Sequence, residues 1–169
     1  MRQYLLPLAS LLLAAPAVFG AGSQPAAIDA NAAFDRLRSL AGEWQLKTEK
    51  ENIRVTYEVI ANGSAVVERE VVENTPMETI YVLDGSRLLL THYCMLGNQP
   101  RMEARAYNAE AGELKFEFLD ATNLANPNAP HMHNVTLHFV DADHLTNDWQ
   151  FFVDGKLKKT DSIQLTRVR

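Results

Sequence analysis

Side chains able to do chemistry gather in one stretch, residues 91–102, which reads Thr-His-Tyr-Cys-Met-Leu-Gly-Asn-Gln-Pro-Arg-Met. An imidazole (His92), a phenol (Tyr93), the chain's only thiol (Cys94), the amides of Asn98 and Gln99 and a guanidinium (Arg101) follow directly on the apolar run Leu88-Leu89-Leu90. Downstream lies a second group, His131-Met132-His133. Strand residues two apart project to one side, about 6.8 Å apart along the chain. The spacing therefore predicts His131 and His133 on the face of Val135, Leu137 and Phe139, the interior face. By the same rule His92 shares a face with Leu88, Leu90 and Cys94. Three imidazoles drawn from two strands make an open three-His metal site of the kind zinc occupies, in which a bound water is activated. The competing reading is plainer. The same histidines line a polar cavity mouth or hydrogen-bond neighbouring loops.

Asn98, Gln99 and Arg101 are expected just past a strand end, where loops often carry function. An arginine placed there grips a carboxylate head group through two parallel hydrogen bonds, leaving a barrel to take the apolar tail. Alternatively, the amides satisfy loop backbone and Arg101 forms a surface ion pair, consistent with its sharing a face with Glu103 and Arg105. Cys94 lies two positions from His92, but no Asn or Asp is evidently placed to orient that imidazole for nucleophilic chemistry. A free cysteine otherwise packs as a small hydrophobe. Tyr57, Tyr81, Tyr93 and Tyr107 bring hydroxyls to cavity or core. Trp44 and Trp149 read as packing anchors, with Asn147 and Trp149 facing one interior. The candidate ligand set is His92, Tyr93, Asn98, Arg101, His131, His133 and Trp149, and the candidate metal set is His92, His131 and His133. No catalytic residue and no cofactor is assigned. Phosphate-binding loops, a Gly-x-Ser-x-Gly elbow and a Cys-x-x-Cys pair are all missing from the sequence.

The elements that must position these groups follow a simple plan. Arg2, the apolar run from Leu5 to Phe19 and the small residues Gly20-Ala21-Gly22 have the layout of a cleaved secretory signal peptide, residues 1–22. The destination is then secreted, in a bacterium periplasmic, with no stable membrane anchor. A short linker, 23–30, precedes one domain, 31–169. The net charge of −5 comes without a basic patch, which argues against nucleic acid as a partner. One cysteine excludes an intrachain disulfide framework.

Asn31 or Asp29 can cap a helix through Phe34, Leu37 and Leu40. Beyond Glu43 the period changes to two. Ile53, Val55, Tyr57 and Val59 alternate with polar residues up to Asn62-Gly63, and Ala65, Val67 and Val71 continue on the return strand. Further strands are predicted over Met77–Leu83, Arg87–Cys94, Met102–Asn108, Glu113–Leu119, His131–Val140, Leu145–Phe152 and Leu157–Val168. The carboxylates are read as mostly solvating the outer phase of these strands. The sum is an all-β fold of roughly ten antiparallel strands joined up-and-down, with a short N-terminal helix. Such a meander closes into a barrel because closure removes its exposed edges.

The helix ending Leu40-Ala41-Gly42-Glu43-Trp44, followed by a β meander over the whole mature length, resembles the opening of the calycin-type barrels: lipocalins, fatty-acid-binding proteins and nitrobindins. In those families a Gly-x-Trp packs at the closed end. Thr91-His92-Tyr93-Cys94 with Gly97-Asn98-Gln99-Pro100-Arg101-Met102 is similar to a group of secreted bacterial lipocalin-like domains of unknown function. The resemblance implies a barrel that binds a small, often apolar or amphipathic molecule. The alternative is a metal- or haem-dependent protein or enzyme using His92, His131 and His133, although no secure counterpart of the nitrobindin haem ligand is found.

Overall fold

Alternation alone would leave ten half-apolar strands with nothing to cover them, and closure solves that problem. The computed structural model describes residues 28–47 and 52–169. The signal peptide and most of the linker expected from the sequence lie outside the described residues. The chain forms one helix, α1 (Ala30–Arg38), and ten strands: β1 (Gly42–Lys47), β2 (Asn52–Ile60), β3 (Ala65–Val72), β4 (Thr75–Asp84), β5 (Arg87–Tyr93), β6 (Gln99–Asn108), β7 (Glu113–Thr122), β8 (His131–Phe139), β9 (His144–Val153) and β10 (Lys156–Arg167). Every strand pairs antiparallel with its sequence neighbours, and β1 pairs with β10 to close the barrel.

One end is stoppered by α1, which packs against β4, β5 and β6. Asp29 caps the helix, its carboxylate accepting from the Ala32 amide at 2.9 Å. Ala33, Phe34 and Leu37 are buried on its inner face. Trp44 follows at once, fully buried, donating its indole N–H to the Leu40 carbonyl at 2.8 Å. Arg167, at the end of β10, lies over the Trp44 ring at 4.3 Å and donates to the carbonyls of Ser39, Ala41 and Ala142. First strand, last strand and helix are thereby tied at one point. The β6–β7 turn also abuts this end. Gly112 there has φ +62°, and a β-carbon on it would fall 2.6 Å from the Phe139 carbonyl oxygen.

The opposite end is looser. β1 and β10 pair only at Trp44/Arg167 and Gln45/Thr166. β7 and β8 pair only from Glu113–Phe116 to Val135–His138. Past that point Asn134 bridges the gap, accepting from the Phe118 amide at 3.1 Å and donating to Gln150 at 2.9 Å. The segment 123–130 crosses between β7 and β8 and is pinned on both sides. Asn98 donates to the Pro130 carbonyl at 2.9 Å, and the Asp154 amide donates to the Asn128 carbonyl at 2.9 Å.

Two boundaries differ from the sequence pattern. β6 begins at Gln99 rather than Met102, so Arg101 sits within a strand opposite Asp120 and Thr91, not in a loop. The Asn62-Gly63 connection is a 3-10 turn with Ala61, Asn62 and Gly63 all at positive φ, not a two-residue hairpin.

Candidate ligand cavity

At the end away from the helix the inward-facing side chains stop filling the barrel and leave a cavity of about 410 Å³. That volume suits one small organic molecule. Apolar side chains make most of the wall: Leu46, Ile53, Val72, Met77, Met132, Phe151 and Ile163, with Met95 and Leu96 from the β5–β6 turn. Four polar or charged side chains join them, His92, Glu70, Lys159 and Asp161, together with Cys94 and Trp149.

Of the seven expected ligand residues, the structure brings two to this cavity. His92 is buried, shares a 2.9 Å hydrogen bond between Nδ1 and the Thr79 hydroxyl, and lies against Trp149 with ring centroids 4.8 Å apart. Burial pushes its pKa down to about 4, so the ring is neutral near pH 7. Trp149 supplies an aromatic wall, and Asn147, one inward position along β9, is buried beside it as expected.

The other five lie elsewhere. Tyr93 is exposed on the outer face, as strand alternation from His92 requires. Arg101 is also outside, where it forms a two-pronged ion pair with Asp120, Nε to Oδ1 at 2.6 Å. The surface-pair reading of Arg101 therefore describes it. Asn98 is buried in the turn after β5. It works on backbone, donating to Pro130 and accepting the Cys94 amide at its own carbonyl, 3.2 Å.

The expectation that His131 and His133 share the interior face with Val135 fails for a definite reason. β8 carries a bulge between Met132 and Asn134, and one extra residue inverts the alternation beyond it. Met132 turns inward to the cavity, while His131 pairs opposite Phe152, on the outer side of β9 from Trp149 and Phe151. There the two imidazoles join an aromatic stack. His133 lies between Phe152, centroids 4.0 Å apart, and Phe118, 4.5 Å. His131 Nδ1–H donates to the Ala129 carbonyl at 2.7 Å, since a carbonyl can only accept. Its Nε2 then accepts from His133 Nδ1–H at 2.9 Å. Burial, and then the neighbouring His131, push the His133 pKa down.

The three-His metal set is thus not assembled. His92 is in the cavity, whereas His131 and His133 bond each other across the bulge. Among the described residues no group of three or more metal-ligating side chains converges.

A second correction concerns the acids. Glu68 and Glu70 do not solvate the outside. Val66, Glu68, Glu70 and Val72 form the inward phase of β3, opposite Val59, Tyr57 and Val55 on β2. That is one residue out of step with Ala65, Val67 and Val71. Valines stand on both phases of this strand, so alternation could not choose between them. The register against Tyr57 could have, had the pairing been known.

Glu68 is buried and accepts from the Tyr81 hydroxyl at 2.7 Å. Burial, reinforced by the nearby Glu70 charge, raises its pKa to about 7, against the pull of the Tyr81 and Tyr57 hydroxyls. Burial raises Glu70 as well. Asn147 donates to the Tyr57 hydroxyl at 3.4 Å, while its own Oδ1 is buried without a partner. Cys94 is buried too, and its thiol is pushed up by burial and by the Glu70 charge, the opposite of what a nucleophile needs.

Fold and site together define a closed ten-stranded antiparallel barrel with an internal, apolar-walled cavity over a polar floor. Compared with protein-family models and with curated proteins, the sequence matches none.

Proposed function

We propose that this protein is exported, in a bacterium to the periplasm, and is a calycin-like barrel that holds one small apolar or amphipathic molecule. The observation that carries the reading is the cavity itself, about 410 Å³, walled by Val72, Met77, Met132, Phe151 and Ile163. A barrel built only for stability would fill that space, because each unfilled methylene forfeits packing energy. The leader pattern at Arg2, Leu5–Phe19 and Gly20–Gly22 supports export. No helix among the described residues is long and apolar enough to cross a membrane. Burial on this scale supplies affinity without specificity, so the chemistry of the head group must come from the few polar residues.

Native mass spectrometry of the exported protein, set beside the denatured spectrum, tests the reading. A mass increment of a few hundred daltons that disappears on denaturation is expected. A bare protein that also fails to quench or shift Trp149 emission with any apolar probe would sink it.

A further inference from the structure

Resting on the ligand-binding reading above, we propose that the cavity selects an apolar molecule whose head group is a cation or a strong hydrogen-bond donor, an alkylammonium in the limiting case, with Glu70 as its partner.

The charged and polar groups at and beneath the cavity are unevenly matched. The Tyr81 hydroxyl is spent on Glu68, and the Asn147 amide N–H on Tyr57. Of the two carboxylates that line the cavity, Asp161 is paired with Lys159 and Glu70 has no partner among the described residues. The Glu70 carboxylate lines the cavity, its pKa altered by burial alone and not by any hydrogen bond or neighbouring cation. Beneath the lining, Asn147 keeps a buried carbonyl oxygen with no partner among the described residues, so the layer under Glu70 is rich in acceptors as well. A half-buried carboxylate on an apolar wall is poorly solvated, so an occupant that brings a donor or a cation to Glu70 gains a partner that water supplies less well there.

Charge leads to the same class. Among the described residues Lys159 is the cation of the wall, and its ammonium already lies 2.8 Å from Asp161. His92 is neutral at physiological pH. A carboxylate head group on the floor would face Glu70, with Glu68 behind it, and no free cation among the described residues. An ammonium there meets Glu70 and the π faces of Trp149 and Phe151, which attract cations as well as alkyl chains.

Three probes of one chain length decide the matter: dodecylammonium, dodecanol and dodecanoate, titrated into the intact exported protein below their micelle concentrations at pH 7.5. Calorimetry and Trp149 emission give the affinities. Dodecylammonium is expected to bind at least about tenfold tighter than dodecanoate, the scale of one charge-assisted hydrogen bond. Glu70→Gln should bring the two within about threefold. Dodecanoate binding as well as dodecylammonium, or an unaltered preference in Glu70→Gln, overturns the inference while dodecanol binding keeps the carrier reading intact. Failure of all three probes overturns both. The wild-type ranking decides alone if the variant does not fold.

Discussion

The two ends of the barrel are made of the same ten strands with the same inward–outward alternation, yet they do opposite things. At the helix end the inward positions are apolar and occupied, and the polar atoms that remain have named partners: Trp44 with Leu40, Arg167 with four backbone carbonyls in two segments. Toward the other end the inward positions carry Glu68, Glu70, Thr79, His92 and Asn147, and the space left open is lined by Glu70 and His92 of these. Alternation decides which side chains face in. It does not decide whether they fill the interior. That depends on size, and on whether something such as α1 is laid across the end.

If the helix end holds the stability, cutting it should hurt most. Trp44→Ala removes a fully buried indole, its hydrogen bond and the platform under Arg167, and is expected to cost about 3–5 kcal/mol. Met77→Ala, on the half-buried cavity wall, trims atoms that already border empty space and should cost less than about 2 kcal/mol. Urea denaturation of both variants checks the contrast, and equal losses would abolish it.

The cavity end should instead govern how stability varies with pH. Glu68 has a folded pKa of about 7 against an ordinary 4.5, so between those values the folded state holds a proton that the unfolded chain has released. Its effect is destabilising as pH rises, reaching about 3 kcal/mol above pH 7. His92 runs the other way. With its pKa lowered from 6.5 to about 4, its contribution is complete above pH 6.5 and is lost as pH falls to about 4, again about 3 kcal/mol. The two slopes oppose each other between pH 4.5 and 6.5. Glu68→Gln, which still accepts from Tyr81, should raise Tm at pH 8 and leave it unchanged at pH 4. His92→Asn should flatten the acid limb. Thermal melts from pH 4 to 8 would show both, and parallel curves for wild type and variants would refute the assignment.

The smallest effect belongs to the outer wall. Arg101→Ala breaks an exposed pair with Asp120 and should cost under about 1 kcal/mol, shrinking further in salt. Probe affinity should not change, because Arg101 does not line the cavity. A loss of binding would return Arg101 to the site.

Much of the architecture was legible because it rests on local patterns. Residues 53–59 alternate strictly, Asp29 precedes a helical spacing, and Asp84-Gly85, Ala111-Gly112 and Asp154-Gly155 mark turns that the structure keeps. The site was legible only where alternation ran undisturbed. On β5 and β9, His92 and Trp149 point inward as their phase demands. On β8 a single bulged residue sent His131 and His133 outward and Met132 inward. On β3, valines on both phases concealed that Glu68 and Glu70 face the interior.

The amino-acid sequence by itself determined an all-β meander with an N-terminal helix, because period and turn chemistry are properties of short segments. Only the tertiary structure decided which carboxylates were buried, which histidines met and where the barrel was left hollow. Each of those depends on register between strands, and a shift of one residue in register exchanges the two faces of a strand.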